Sequence, residues 1–177
     1  SDVCSSDLTR VAAVAGGAAE TLLAYYKRRD PDASPTDRLI TALTMSNFHV
    51  RELMLADAKA ARGKAPVWMY SLDWETPAFG GRLKSPHSVD VPFVFDTLHV
   101  IGAAHRRPGD QVLADRVSTT WAAFARTGKP DNPGLPAWPA YTATTRTTMI
   151  LDDTCKVVAD PDGEVRDLWI KVATGGV

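Results

Sequence analysis

A chain of 177 residues is long enough to bury a sizeable core, and its 45% hydrophobic and 23% charged residues are ordinary for a globular protein. Its net charge of -1 gives no reason to expect a nucleic acid as partner, and the basic triplet over residues 27–29 fits a solvated helix end better than a binding patch. No apolar run approaches the roughly 20 residues that a membrane-spanning helix needs. We therefore expect neither a nucleic-acid partner nor a membrane span.

The first eight residues look foreign to the rest of the chain. Residues 1–8 resemble the translation of a sequencing adapter, and we predict that they are not native. The alternative is a genuine N-terminus without fixed structure, as chain ends often are. If residues 1–8 are foreign, Cys155 is the one native cysteine. No disulfide is then predicted within the chain, and cysteine usage does not identify a compartment.

The first predicted element is a helix over residues 9–29, where apolar side chains recur at helical spacing. Gly16 and Gly17 weaken this helix, each by about 1 kcal/mol relative to Ala. Pro31 cannot continue a helix, so we expect the element to end just before it.

A second helical stretch begins at Ser34, a capping residue that is followed by Pro35. Its apolar pattern predicts a break near residues 46–47. Gly63 is placed to end it, because glycine readily adopts the left-handed conformation that terminates helices.

The remainder of the chain alternates strand and helix patterns. The nearly continuous apolar run over residues 67–74 predicts a strand covered on both faces in a mostly parallel sheet. A long helix is predicted to open at residues 108–110 and to be terminated by Gly128 and Pro130. Its apolar face, which we expect in the core, contains Leu113, Val117, Trp121 and Phe124. Short strands are predicted over residues 147–151 and 156–158, and residues 166–172 are predicted to form a final short helix or an ordered tail.

A histidine follows the first predicted strand. His87 lies on a turn stiffened by Pro86, after a loop over residues 76–86. Imidazole titrates near neutral pH and can take and return a proton. Catalytic residues favour loops held by a rigid scaffold. A lone loop histidine is nevertheless more often a structural or surface residue, so His87 needs its context.

Three segments supply that context. Residues 87–95 read HSVDVPFVF, residues 121–130 read WAAFARTGKP, and residues 138–141 read WPAY. In this order they resemble signature segments of the type-B carboxylesterase family, whose members are α/β-hydrolases. The family usually has Glu where this chain has Asp90, a change that keeps the charge and shortens the side chain.

The resemblance implies an α/β fold and assigns residues 9–177 to the C-terminal part of an α/β-hydrolase domain. It implies a carboxylic ester hydrolase with a Ser-His-Glu/Asp triad, in which His87 is the base. The sequence has no G-x-S-x-G, the motif that holds the nucleophile in this fold. We therefore expect the serine and the acid to lie outside this chain, and the chain alone to be inactive.

The resemblance also suggests roles for residues near His87. Asp90 is too close along the chain to be the usual triad acid, so it is predicted either to tether the loop or to pair with a basic side chain. Phe79 and Leu83 resemble positions that line the alcohol side of the family's pocket, although simple loop packing explains them equally well. The expected partner is a small-molecule carboxylic ester, and no cofactor is expected.

Other readings stay open. His99 and His105 are spaced too loosely for a zinc site, so no metal is expected. A catalytically silent cholinesterase-like domain used for adhesion or partner binding is the chief alternative function, and a lipase is a second. The sequence does not distinguish a cytoplasmic from a secreted protein, nor does it give the oligomeric state.

Overall fold

The computed structural model describes residues 2–102 and 105–176. These residues form two compact units. The helical unit runs up to Gly63 and resumes at Asp162, and the sheet unit is Lys64–Pro161. The helices are α1 (Asp2–Ala15), α2 (Ala19–Arg29), α3 (Pro35–Thr44), α4 (Val50–Arg62), α5 (Val91–Val94), α6 (Asp110–Thr127) and α7 (Gly163–Ala173). The strands are β1 (Met69–Leu72), β2 (Thr147–Leu151) and β3 (Lys156–Ala159).

The helical unit begins with two helices where the sequence predicts one weakened helix. Gly16 has a φ of 53°, and a short 3₁₀ turn over Gly16–Ala18 separates α1 from α2. The predicted weakness is confirmed, because glycine is the residue that adopts this left-handed conformation without a steric penalty. The helix starts at Asp2 rather than at residue 9.

The predicted signals at the ends of the next helical stretch are confirmed. The Ser34 hydroxyl accepts a hydrogen bond of 3.1 Å from the Asp37 amide, and the Asp37 carboxylate accepts one of 3.1 Å from the Ser34 amide. This reciprocal cap satisfies two donors at the start of α3. At the other end of the stretch, Gly63 follows α4 with a φ of 61°.

The predicted break near residues 46–47 is a π-helical turn, Met45–His49, and not an interruption. Such a turn accommodates an extra residue while the chain remains helical. It joins α3 directly to α4.

The core of the helical unit gathers residues from both ends of its sequence. Trp169 on α7 is fully buried among side chains of α1 and α2, including Val11 and Leu22. The Trp169 indole N–H donates a hydrogen bond of 2.9 Å to the Tyr26 hydroxyl. Because buried polar groups are costly unless they are paired, this bond makes the aromatic contact specific.

The sheet unit contains a mixed three-stranded sheet in the order β1-β2-β3. β1 runs parallel to β2, with Met69 opposite Thr148, and β3 runs antiparallel to β2. The expected mostly parallel sheet is therefore only half correct. The strand buried along its whole length is the central β2, whereas three of the four residues of β1 are only partly buried.

α6 packs against this sheet through Leu113, Ala114 and Val117, which share a core with Met149 and Leu151. The prediction that Phe124 is a core residue is wrong, because its side chain is 47% exposed. Phe124 lies in the last turn of α6, where the helix extends past that core. Its ring meets the edge of Trp68, with centroids 5.7 Å apart.

No helix within residues 2–102 and 105–176 is both long and apolar enough to cross a membrane.

Candidate active site

The candidate site is the loop between β1 and α5, which carries His87. The loop is closed on itself by a hydrogen bond of 3.0 Å from the Thr76 amide to the Lys84 carbonyl. Just before the histidine, the Ser85 hydroxyl donates a bond of 2.7 Å to the carbonyl of Leu72, the last residue of β1. The loop is thus fastened back onto the strand from which it leaves.

His87 itself lies in a tight turn. The Val89 amide donates to the Pro86 carbonyl at 3.1 Å, so His87 and Ser88 are the two central residues of a four-residue turn. Ser88 has a φ of 67°, the sign that a type II turn requires at this position. The histidine side chain is exposed, so its imidazole is accessible from solvent.

Three non-glycine residues of the loop adopt left-handed backbone conformations: Phe79 with a φ of 54°, Lys84 with 52° and Ser88 with 67°. Each such residue costs about 1–2 kcal/mol relative to an ordinary conformation. Strain of this kind persists where the surrounding structure holds the chain firmly, and it is concentrated at functional sites.

Asp90 is connected to β1 and not only to its own loop. Its carboxylate accepts a hydrogen bond of 3.0 Å from the hydroxyl of Tyr70. Tyr70 in turn packs edge-on against Trp121 of α6, with ring centroids 4.9 Å apart. Through Tyr70, Asp90 thus connects the end of the His87 turn to the sheet and to the long helix α6.

Phe79 and Leu83 are exposed apolar side chains on the same loop, 67% and 48% accessible respectively. Phe79 belongs to a short 3₁₀ turn, Ala78–Gly81, and Leu83 follows it. Neither side chain belongs to the buried core of the sheet unit. A role in lining a substrate pocket stays a prediction.

A buried polar cluster at the base of the loop was not predicted. Trp74 is fully buried, and its indole N–H donates a bond of 2.7 Å to the carboxylate of Asp110, the first residue of α6. The Arg107 side chain forms an ion pair with Asp110 at 3.2 Å and lies over the Trp74 ring, 5.4 Å from its centroid. The local sequence marks Asp110 only as an acid at a helix start, since its partner Trp74 is 36 residues away.

A second polar cluster lies in the helical unit. His49, at the end of the π-helical turn, pairs with Asp162 at 2.7 Å, and Arg29 approaches the same carboxylate at 3.5 Å. Burial raises the pKa of Asp162, but the hydrogen bond and charge of His49 and the charge of Arg29 outweigh it, so the pKa lies below its ordinary value. The carboxylate is ionised and anchors the start of α7.

Within the part of the chain that the structure describes, no group of three His, Cys, Asp or Glu side chains is arranged to hold a metal ion. His99 and His105 are both exposed.

Comparison with known proteins connects these features to a family. The sequence model of the Carboxylesterase family matches residues 6–169. The para-nitrobenzyl esterase of Bacillus subtilis (strain 168) is 36% identical over 117 residues, which is 63% of this chain and 23% of that protein. The chain thus spans about a quarter of that relative's length.

Solved structures agree with the sequence match. A carboxylesterase of Geobacillus stearothermophilus at pH 6.2 is 36% identical, with a TM-score of 0.77 over 92% of this chain and 34% of that chain. An esterase of Clostridium hathewayi, described as able to hydrolyse aliphatic aromatic polyesters, is 26% identical with a TM-score of 0.67, over 92% of this chain and 31% of that one. The fold is accordingly α/β and corresponds to part of an α/β-hydrolase.

The three segments that carry the resemblance occupy distinct places in the sheet unit. Residues 87–95 form the His87 turn and α5, and residues 121–130 form the end of α6 and its glycine cap. Residues 138–141 lead into Tyr141, whose amide donates a bond of 2.7 Å to the Val67 carbonyl, just before β1. Together with the match over residues 6–169, they establish that the chain belongs to the carboxylesterase family.

Proposed function

We propose that this chain supplies the histidine base, His87, of a serine carboxylic ester hydrolase. The observation that carries the proposal is the position of His87: it is exposed on a strained turn in the loop between β1 and α5, at the start of the segment that resembles the family signature. Residues 9–177 would then be the C-terminal part of the hydrolase domain, and residues 1–8 foreign to it.

The chemistry needs groups in addition to His87. A serine hydroxyl attacks the ester carbonyl while the imidazole takes its proton, and the same imidazole later returns the proton to the leaving alcohol. A carboxylate orients the imidazole, and backbone amides stabilise the oxyanion by about 3 kcal/mol per donor. Since the sequence has no G-x-S-x-G, the proposal assigns the serine and the acid to a part of the protein outside these 177 residues.

The proposed substrate is a small carboxylic ester whose alcohol group contacts Phe79 and Leu83. These two exposed apolar side chains lie on the loop that leads to His87, so they are available to an apolar group bound beside the imidazole. Asp90 would hold the turn through its hydrogen bond to Tyr70 while the ester reacts.

The decisive experiment uses the longer reading frame that contains this chain. We expect the longer protein to release p-nitrophenol from short-chain p-nitrophenyl esters, and His87→Ala to lower kcat by about 10³-fold or more. His99→Ala is the matched control, because His99 is also exposed in the sheet unit and has no proposed role. Equal activity of His87→Ala and the unsubstituted protein would exclude His87 as the base.

The 177-residue chain provides a second test. We expect it to hydrolyse these esters no faster than its own His87→Ala variant does. Hydrolysis that is lost in His87→Ala would show that a nucleophile is present within the chain. It would contradict the proposal that the serine lies outside these 177 residues. A longer protein without a serine at the nucleophile position would instead favour a catalytically silent binding domain.

A further inference from the structure

The two flanks of the His87 loop meet at a buried aromatic contact. Trp74 precedes the loop and Phe93, in α5, follows it, and both side chains are fully buried. Their rings meet edge to face, with centroids 4.9 Å apart and planes inclined by 66°. Residues 75–92, including His87, therefore lie between two residues whose side chains are in contact in the core.

Asp110 fixes that contact in orientation. An aromatic pair alone allows its rings to slide, whereas the 2.7 Å hydrogen bond from the Trp74 indole to Asp110 fixes the ring's position. Asp110 is only 4% exposed, and the Arg107 amide and guanidinium also donate to its carboxylate. Because the buried charge is paired, the carboxylate remains a strong acceptor for the indole.

Arg107 extends this arrangement to the sheet. Its guanidinium forms two hydrogen bonds with the Asp153 carboxylate, at 2.7 and 3.1 Å, in the turn between β2 and β3. The base of the loop is thus joined to the start of α6 and to the end of the sheet's central strand. The loop's left-handed residues Lys84 and Ser88 need firm support of this kind, since strained conformations relax when the surrounding structure loosens.

We infer that Trp74 and Asp110 are positioning residues for His87, which together hold both flanks of its loop against the start of α6. The inference rests on the proposed function, because it concerns where the proposed base is held. Neither residue contacts an ester in this role. They act through the loop, and a small displacement of a catalytic group is enough to lower a rate substantially.

Amide hydrogen exchange in the longer protein that contains this chain tests the positioning without requiring activity. The reporters are the amides of Val89 and Val91, which donate to Pro86 and Ser88 within and just after the His87 turn. Trp74→Phe keeps a ring against Phe93, and it removes the indole donor together with the volume of the fused second ring. We expect it to accelerate exchange of both reporters by about tenfold or more, through local opening of the loop.

Trp68→Phe is the matched control. Its indole also donates one hydrogen bond, of 3.3 Å to the Trp138 carbonyl, and it lies in the same unit but away from the loop's flanks. We expect exchange of the reporters in this variant to stay within about threefold of the unsubstituted protein. An equal acceleration in both variants would overturn the inference. So would acceleration shared equally by the β2 amides of Met149 and Ile150, because that pattern reports general destabilisation.

A conservative substitution at the acceptor provides a second variant. Asp110→Asn keeps a carbonyl oxygen for the indole, whereas Asp110→Ala removes it. We expect faster exchange of the reporters in Asp110→Ala than in Asp110→Asn, by about fivefold. Identical exchange in the two variants would exclude the hydrogen bond as the element that holds the loop.

Kinetics of the longer protein then separate this inference from the proposed function. We expect Trp74→Phe to lower kcat by about fivefold or more with little change in KM, as for a misplaced base, and Trp68→Phe to leave both unchanged. A raised KM with unchanged kcat would contradict positioning of the base. If His87→Ala is fully active, the proposed function fails, whatever hydrogen exchange shows about the loop.

Discussion

Tyr70 and Asp90 are joined by a 3.0 Å hydrogen bond that connects the middle of β1 to the turn carrying His87. The tyrosine ring packs against Trp121 of α6, so the hydroxyl is held in place by an aromatic contact as well as by its strand. Residues that are 20 positions apart in sequence thereby become neighbours. The consequences can be measured by substitution at either end of the bond.

Tyr70→Phe removes the donor and leaves the aromatic ring. We expect it to lower the free energy of unfolding of the chain by about 1–2 kcal/mol, the usual contribution of a hydrogen bond to a charged acceptor. Urea denaturation measures the difference. Asp90→Asn is the matched control, because its side-chain oxygen still accepts from the tyrosine and the loss should be smaller. A larger loss in Asp90→Asn than in Tyr70→Phe would mean that Asp90 is held mainly by other contacts.

Truncation of two phenylalanines in the sheet unit should change the free energy of unfolding by very different amounts. Phe93 is fully buried against Trp74, whereas Phe124 is 47% exposed. We expect Phe93→Ala to cost about 3–5 kcal/mol of stability and Phe124→Ala about 1 kcal/mol or less. Denaturant unfolding of the two variants side by side tests this. Equal losses would show that Phe124 belongs to the core after all.

Acid should destabilise the helical unit through Asp162. Its pKa in the folded chain lies below the ordinary value of 3.8, because pairing with His49 and Arg29 outweighs the effect of burial. The unfolded chain therefore takes up the proton first, and the stability that this carboxylate supplies is present above pH 3.8 and is lost as the pH falls through the lower, folded pKa. We expect Asp162→Asn to cost about 1–3 kcal/mol near pH 6.

The measurement for Asp162 is the free energy of unfolding of the chain and of Asp162→Asn at several pH values. We expect the difference between them to shrink as the pH falls below 3.8. A difference that stays constant down to pH 2 would show that the carboxylate is not linked to folding.

Alkaline pH should destabilise the helical unit through Tyr26. Burial raises the pKa of Tyr26 to about 12, although the hydrogen bond from Trp169 opposes this increase. The folded chain keeps its proton at pH values where the unfolded chain has already lost it. The free energy of unfolding is therefore unaffected by this group below pH 10. It falls between pH 10 and 12, by about 2–3 kcal/mol in total.

Tyr26→Phe provides the test for this alkaline loss. The variant has no phenol to ionise at this position, so its unfolding free energy should fall less between pH 9 and pH 11.5. Tyr25 is a useful comparison, since Tyr25→Phe removes a neighbouring tyrosine of the same helix. If Tyr26→Phe loses stability as steeply as the unsubstituted chain does, the buried phenol is not the source of the alkaline loss.

Local signals in the sequence were sufficient for the helix ends and for the positions of β2 and β3, but not for the way in which the strands pair. Ser34 acts through its hydroxyl and amide on Asp37, and Gly16 and Gly63 act through their own backbone, so their effects are visible within a few residues. The strand predicted over residues 147–151 is confirmed as β2, but its complete burial could not be predicted, because two of its five residues are threonines, Thr147 and Thr148, which become buried through pairing with β1 and β3. Burial of that kind depends on partners far away in the chain.

The candidate site also has one part that the sequence predicts and another that it does not. His87 and Asp90 lie within one contiguous motif and could be found from sequence. The pairing of Trp74 with Asp110 joins two residues that each have an ordinary local explanation, one at the end of an apolar run and one at a helix start. Only the folded arrangement brings them together, so the support beneath the loop could not be predicted.

At Ser88 we expect thermal stability and catalytic rate to respond to a substitution in opposite ways. Glycine would accept its φ of 67° without the steric penalty of about 1–2 kcal/mol, which is larger than the roughly 0.5–1 kcal/mol that glycine costs through backbone entropy, so we expect Ser88→Gly to be slightly stabilising. The same replacement would let the adjoining imidazole sample more orientations. Ranking variants by melting temperature alone would therefore select a more stable protein with a lower catalytic rate.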